Sequence, residues 1–384
     1  MRGMRRGLTG LALVITLAAA SCGGDGNSQS SAPAPAACPN EQRPAVSLLL
    51  DVHREPAARE VVCLARTYTN IVGAPAWDDL PAQVAAVSET VFTWERRVLQ
   101  YGFDPCDQCA RPGLDPDEVR ETNPEWILHD ADGNEIHPAA HPDWVLFDFS
   151  NVNFQAAWGL AVAKELSGTR WTGVHIVDAT NQPDWSSQPI DPNTGEPMTE
   201  ADRRTYLAEA LSVVRAGMKT SGFSLVASNG PATIVDRGQI ASTDAVTVGS
   251  GFARTGSPEW DVLLAYFQAA VEAHVGAWVQ DVGELRPSQR VYGLASYLLV
   301  SGPRSSYEVE SETDSDLYDI SLGEPIDLAA LQGFVWLREF ASGYVAVNPT
   351  VADGSVQLTD GTVVRIPAGG AVIQAAAQRF TTSE

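Results

Sequence analysis

The segment TGVHIVD at positions 172–178 carries the clearest strand signal in the chain, a mostly apolar run that ends at one acid, Asp178. Such a run is typical of a strand buried on both faces of a parallel sheet. Similar runs occur at 45–50, 68–72, 98–101, 223–227, 245–248 and 291–295, and a weaker one at 317–321. Stretches with helical patterning lie between them, at 57–66, 80–94, 154–166, 201–219, 258–274 and 329–340.

Strands that alternate with helices predict a parallel sheet. Eight such units in about 300 residues fit a (β/α)8 TIM barrel, which we place at 44–342. A doubly wound open sheet is the competing fold, but the first strand is not followed by a Gly-x-Gly-x-x-Gly motif. After position 343, short apolar runs are separated by turn pairs such as Asp360-Gly361, which predicts a small C-terminal antiparallel β-domain at 343–384.

The first 43 residues read as an export signal and a spacer. Three arginines precede an apolar run at 8–20 that is too short to span a bilayer. The small residues directly before Cys22 resemble the lipobox of bacterial lipoproteins, in which cleavage precedes a lipidated Cys; an ordinary signal peptide at 1–21 is the alternative. Positions 22–43 are rich in Gly, Ser, Ala and Pro and predict a flexible linker. We therefore expect an extracytoplasmic lipoprotein, periplasmic or on the cell surface, held at the membrane by its N-terminal lipid.

The charge balance restricts the partners. Lys and Arg number 25 against 48 Asp and Glu, so the net charge is −23. That field repels the phosphates of nucleic acids, which argues against a nucleic-acid partner. It is no obstacle to neutral sugars.

Five cysteines suit an exported protein. If Cys22 carries lipid, four remain, and export makes disulfides plausible. Four cysteines permit three pairings, of which we favour Cys38–Cys63 and Cys106–Cys109. The Cys106–Cys109 motif could instead be a redox or zinc half-site, but a zinc ribbon needs a second pair. We expect no metal and no cofactor, and we interpret the acidic stretch at 308–319 as a solvated loop, with a calcium loop as the alternative.

Four segments, taken in their order along the chain, resemble one protein family. They are NPEWILHDADG at 123–133, WVLFDFSN at 144–151, TGVHIVD at 172–178 and REFASGYVAVNP at 338–349. They are similar to the hypothetical glycosyl hydrolase fifteen type, which is related to the endo-α-1,4-polygalactosaminidase barrels. The resemblance spans roughly positions 68–373 and implies a TIM barrel that hydrolyses glycosidic bonds of a polysaccharide or oligosaccharide with two carboxyl groups.

One segment departs from the family pattern. The resemblance implies a Glu at the end of the sixth strand, but the chain reads TVGSGF at 247–252, without a carboxylate. The departure supports an alternative function, a catalytically inactive, carbohydrate-binding surface lipoprotein on the same scaffold.

TIM barrels carry their active sites at the carboxyl ends of their strands. Asp178 is therefore the first catalytic candidate, as nucleophile or base, and Asp148 the second, although either could simply cap a helix or loop. We interpret His175 as a packed barrel residue and Glu95 as a solvated helix residue. The substrate-binding candidates are Asp51, Tyr101, Asp104, Trp185, Asn229 and Ser250.

Overall fold

The computed structural model describes residues 46–104, 110–180, 185–228, 236–248, 251–254, 256, 259–281, 283–308, 315–376 and 378–382. The predicted signal peptide, the linker and Cys22 lie outside these residues. So do Cys38, Cys106 and Cys109, and the two predicted disulfides stay predictions. In the described part of the chain, no helix combines the length and the hydropathy needed to cross a bilayer.

The N-terminal part of the fold, up to Glu308, is a closed barrel of parallel strands, as the sequence predicts. Each strand pairs with its neighbours in chain order, β8 pairs with β1, and β2 pairs with β3, which completes the circle. The barrel strands are β1 (Leu48–Asp51), β2 (Asn70–Gly73), β3 (Phe92–Val98), β4 (Gly173–Ile176), β5 (Ser224–Ser228), β6 (Ala245–Thr247), β7 (Gly276–Gln280) and β8 (Ser306–Glu308).

Helices lie in the connections between these strands, where right-handed crossovers place them on the outside of a barrel. They are α1 (Ala58–Thr67), α2 (Leu80–Val87), α3 (Pro116–Thr122), α4 (Val152–Leu166), α5 (Glu200–Thr220), α6 (Arg237–Ala241), α7 (Glu259–Glu272) and α8 (Pro287–Val300), and α9 (Ser315–Tyr318) follows β8. The longest insertion separates β3 from β4 and contains α3, α4 and the short strand Val145–Leu146.

The third strand begins earlier than predicted. The predicted helix at 80–94 stops at Val87, and β3 begins at Phe92. Trp94 packs inside the barrel edge-to-face against Trp278, 5.1 Å between ring centroids. The interpretation of Glu95 as a solvated helix residue is wrong, because it lies on β3, is buried, and forms an ion pair with Arg97.

The last two barrel strands are also not where the sequence predicts them. Positions 291–295 belong to α8, and 317–321 overlaps α9, whereas the real strands are β7 and β8. The helix α8 is buried along almost its whole length, since the C-terminal sheet packs on it as well as the barrel. A helix that is covered on both sides has no exposed polar face, so its sequence is apolar throughout and resembles that of a buried strand.

The C-terminal part is antiparallel, as predicted, but its sheet begins at Ala330. The predicted helix at 329–340 is wrong, because this segment forms a hairpin of two strands. A five-stranded sheet has the order β9-β10-β11-β14-β15, and β12 pairs with β13 beside it. These strands are β9 (Ala330–Gln332), β10 (Val335–Phe340), β11 (Gly343–Val347), β12 (Gly354–Gln357), β13 (Val363–Ile366), β14 (Ala371–Ala375) and β15 (Arg379–Thr381).

Arg338 joins this sheet to the barrel. Its guanidinium, on β10, donates to the carbonyl oxygens of Leu298 at 2.9 Å and Ser301 at 2.8 Å. Those carbonyls end α8 and have no partner within the helix. The charged side chain therefore satisfies the end of α8 from the neighbouring sheet.

Arg97 allows a stability test. Its side chain is 1% exposed and pairs with Glu95 and Glu165. We expect Arg97→Met to lower the free energy of unfolding by about 3–5 kcal/mol, because it leaves the buried Glu95 carboxylate without its counter-charge. Urea denaturation measures the change.

The matched control is Arg54→Met, since Arg54 is 69% exposed and pairs with Glu60 at the surface. It should cost no more than about 1 kcal/mol. Equal losses in the two variants would contradict the role given to the buried pair.

Candidate functional site

The carboxyl end of the barrel interior is polar, although the layer below it is apolar. The apolar layer consists of Leu49, Val72, Trp94, Val226, Ala245 and Trp278, which contact one another across the barrel. Successive side chains of a strand point to opposite faces, so the residue two positions further along also points inward. We call the resulting polar set the mouth layer: Asp51, Arg96, His175, Ser228, Thr247, Gln280 and Glu308.

Asp51 and Arg96 form an ion pair in the mouth layer. The Arg96 guanidinium donates to Asp51 Oδ1 and, at 2.9 Å, to the carbonyl oxygen of Val52. Both side chains are mostly shielded from water. The pair holds the Asp51 carboxylate on the barrel-axis side of β1. The predicted role of Asp51 in substrate binding stays a prediction, and its partner Arg96 was not predicted.

Glu308 ends β8 on the other side of Asp51. It is 4% exposed and accepts a hydrogen bond from Gln280 Nε2. The interpretation of Glu308 as part of a solvated loop is therefore wrong. Its backbone pairs with β1 and β7, and this pairing carries its side chain into the barrel.

Asp51 and Glu308 bring two carboxyl groups into one space. Leu49, two residues before Asp51, is the register partner of Glu308. A strand spacing of about 4.8 Å and a rise of about 3.3 Å per residue then put the two Cα atoms about 8 Å apart. Side chains of this length can hold carboxyl groups at the separations of roughly 5–9.5 Å that glycosidases use.

His175 is buried in the same layer, 2% exposed, with its ring centroid 6.0 Å from that of Trp278. Neither of its ring nitrogens has a hydrogen-bond partner among the described residues. Burial lowers the pKa of His175 to about 4, with the Arg96 charge acting in the same direction and Asp51 against it. The imidazole is therefore neutral near pH 7. Its interpretation as a packed barrel residue agrees with this placement.

Asp178 follows β4 but does not join the mouth layer. Its carboxylate accepts the backbone N–H of Leu99 at 2.8 Å and of Gln100 at 2.6 Å. It thus fastens the segment that leaves β3 to the end of β4. Burial raises the pKa of Asp178 to about 6, and the backbone hydrogen bonds oppose the rise. Its predicted catalytic role stays a prediction.

Asp281, which the sequence did not single out, fastens a second loop in the same way after β7. Its carboxylate accepts the backbone N–H of Ala253 at 2.7 Å and the Tyr307 hydroxyl at 2.8 Å. Burial raises the pKa of Asp281 to about 6. Two outward-facing acids thus fasten two loops at the mouth.

Asp148 lies in the insertion between β3 and β4, just before α4. Its Oδ1 accepts the backbone N–H of Ser150 at 3.0 Å and the Ser150 hydroxyl at 2.5 Å. Burial raises its pKa above the usual range, and these hydrogen bonds oppose the rise. Asp148 therefore stabilises the turn before α4, whereas Asn151 is the residue that caps the helix.

The predicted aromatic pair is in contact. Trp185 Nε1 donates to the Tyr101 hydroxyl at 3.1 Å, and the Arg203 guanidinium lies 4.9 Å from the Trp185 ring centroid. Asp104 is exposed nearby in sequence. The remaining predicted binding residues, Asn229 and Ser250, lie outside the described residues.

Across the described ranges, no three His, Cys, Asp or Glu side chains come together as a metal site would require.

The sequence reasoning missed Arg96, Thr247, Gln280 and Glu308. One signal was present: Arg96 and Gln280 each lie two residues after a tryptophan in a strand-like run, Trp94 and Trp278. In a strand, residues two positions apart lie on the same face, so each tryptophan and the polar residue after it would point into the barrel together. This inference requires that β3 and β7 are first assigned correctly as strands.

With this geometry in place, comparison with known proteins identifies the family. The model of hypothetical glycosyl hydrolase family 15 matches residues 107–344, more than half of the chain. The chain belongs to this family. The match confirms the family resemblance of the sequence, whereas no curated protein matches.

Solved structures share the fold at low identity. The GH36 α-galactosidase AgaA from Geobacillus stearothermophilus is 13% identical with a TM-score of 0.52, covering 89% of this chain and 55% of that chain. A variant of it was solved in complex with stachyose. The cycloalternan-degrading enzyme from Trueperella pyogenes is 10% identical with a TM-score of 0.51, covering 87% and 62%. The family member described here spans only part of the length of both enzymes.

Asp178 makes the stability of the fold depend on pH. Its pKa is raised to about 6 in the folded chain, against about 3.9 in an unfolded one. The folded state therefore binds the proton more tightly, and stability falls as the pH rises from about 4 to about 6. We expect the free energy of unfolding of Asp178→Asn to drop by about 1–3 kcal/mol less than that of the wild type over the same pH range.

Urea denaturation between pH 4 and pH 7 measures both slopes. Asp281 contributes in the same direction, so some slope should persist in the variant. Identical slopes for the two proteins would rule out Asp178 as a buried titrating group.

Proposed function

We propose that this protein hydrolyses glycosidic bonds of an extracellular or cell-envelope polysaccharide at the mouth of its barrel. The observation that carries the proposal is the pair of inward-facing carboxyl groups of Asp51 and Glu308 on neighbouring strands. Membership of a glycosyl hydrolase family supports it. The oligosaccharide named with one structural neighbour, stachyose, is consistent with a sugar substrate.

The two carboxyl groups have different surroundings, which suggests different roles. Arg96 keeps Asp51 in an ion pair, so Asp51 is the negatively charged partner that attacks the anomeric carbon or activates water. Glu308 contacts the neutral amide of Gln280 and is the group that protonates the leaving oxygen. No cofactor enters this chemistry.

Asp178 is the rival for one of these roles. It has the position that the sequence favours and a pKa near 6, but its oxygens accept two backbone N–H groups. The activity of an Asp178→Asn variant distinguishes a catalytic Asp178 from the Asp51–Glu308 pair.

Activity measurements test the carboxyl pair. Reducing ends released from a panel of bacterial exopolysaccharides, together with 4-nitrophenyl glycosides, first identify a substrate. We expect Glu308→Gln and Asp51→Asn each to lower kcat by about 10²–10⁴-fold, because each removes a group that acts in the transition state. Glu118→Gln, at an exposed position of α3, is the control and should keep full activity.

If Asp178→Asn abolishes hydrolysis while Glu308→Gln retains it, the proposed pair is incorrect and the sequence-based choice is right. Circular dichroism and the melting temperature verify that each variant folds.

One observation favours the alternative of carbohydrate binding without hydrolysis. At the carboxyl end of β6 the mouth layer contains Thr247, where the family resemblance implies a carboxylate nearby. Calorimetric binding of a polysaccharide that is never cleaved, by wild type and by Glu308→Gln alike, would favour this alternative.

We also propose that the protein is anchored outside the cytoplasm through lipid on Cys22. The support is the sequence pattern before Cys22 and the Gly-, Ser-, Ala- and Pro-rich linker. We expect labelled palmitate to be incorporated into the full-length chain in a bacterial host, and Cys22→Ser to abolish both the label and the membrane fraction.

Ser28→Ala is the matched control, because it changes a linker residue six positions after Cys22 and leaves the residues before Cys22 unchanged. Equal labelling of the wild type and Cys22→Ser would refute the anchor.

A further inference from the structure

A chain of three side chains runs along one side of the mouth layer. Thr247 Oγ1 donates to Gln280 Oε1 at 2.7 Å, and Gln280 Nε2 donates to Glu308 Oε2 at 2.5 Å. The three residues end the neighbouring strands β6, β7 and β8, and the register aligns Gln280 with Glu308. Thr247 is fully buried, so its hydroxyl depends on such a partner.

This chain can run in either direction. A primary amide has one donating end and one accepting end, and a hydroxyl can do both. When Glu308 is ionised, the amide N–H donates to it, as observed. When Glu308 is protonated, its O–H can donate to Oε1 of a rotated amide, whose N–H then donates to Thr247. The Gln280 amide keeps a hydrogen bond to both Glu308 and Thr247 in either arrangement, which avoids the cost of breaking the contact with Glu308.

We propose that Gln280, supported by Thr247, is a positioning residue that holds Glu308 in one place through both of its protonation states. The inference rests on the proposed function, in which Glu308 changes its protonation during each turnover. Glu308 gives its proton to the leaving oxygen as the glycosidic C–O bond breaks. If Asp51 is the nucleophile, it bonds to the anomeric carbon as that bond breaks; water then displaces Asp51 from the carbon, and Glu308 takes the proton of that water. If Asp51 instead activates the water, Asp51 takes that proton, and Glu308 is protonated again from solvent. The elements of one water are added, and the amide only rotates.

The other charged or titratable groups of the mouth layer are Asp51, Arg96 and His175. Asp51 and Arg96 neutralise each other, and His175 is neutral at pH 7. The hydrogen bond that Gln280 Nε2 donates to Glu308 stabilises the ionised form of that carboxyl group.

The test replaces Gln280 with Met, which keeps its length and removes the amide. Glutamate labelled with ¹³C at Cδ reports the titration of Glu308, assigned as the signal that Glu308→Gln removes. We expect Gln280→Met to raise the titration midpoint of Glu308 by about one pH unit, because the ionised form loses its donor. Gln280→Glu should raise it further, since a second carboxylate then faces Glu308.

Gln155→Met is the control, because Gln155 is buried and donates to the Phe149 carbonyl within the insertion, not to Glu308. It should leave the midpoint unchanged. Thr247→Val should lower kcat by about tenfold with little change in KM, whereas Thr93→Val, at another buried strand position, should not.

An unchanged Glu308 midpoint in Gln280→Met would overturn the inference, whatever the activity. The proposed function fails differently, through full activity in Glu308→Gln. The NMR titration needs no substrate, so the two failures can be told apart.

Discussion

Closure of the parallel barrel is the constraint on which the rest depends. Pairing of β2 with β3, and of β8 with β1, leaves each strand with one face inside and one outside. Each strand therefore adds alternate residues to stacked inner layers, and the last inner residues meet at one end. Glu308 and Asp51, far apart in sequence, become neighbours only because the barrel closes between β8 and β1.

The same closure gives acids at strand ends two different functions. The Asp51 side chain lies on the inward face of its strand and belongs to the mouth layer, where Arg96 compensates its charge. The side chains of Asp178 and Asp281 follow β4 and β7 on the outward face, where they accept backbone N–H groups from the segments that follow β3 and β6. Inward acids are thus available for chemistry, while outward acids fix the loops that surround them.

Much of the fold could be predicted because strands and helices alternate along the chain, and the family could be predicted from four short segments. The errors fall on particular elements. The helix α8 resembles a strand in sequence because both the barrel and the C-terminal sheet cover it. The strand β3 resembles the end of a surface helix because it contains charged residues, Glu95 and Arg97, which are buried as an ion pair. Local sequence does not report what covers an element from another part of the chain.

The sequence by itself determined a (β/α)8 barrel with an antiparallel C-terminal part, and the hydrolase family. Only the tertiary structure decided which acids face inward. In β4 the outward Val174 and Ile176 pack under helices and the inward His175 lies in the barrel, so both faces are buried and hydrophobicity does not distinguish them. The hydrogen-bonded chain from Thr247 to Glu308 likewise exists only because three strands, separated by long crossovers, lie side by side.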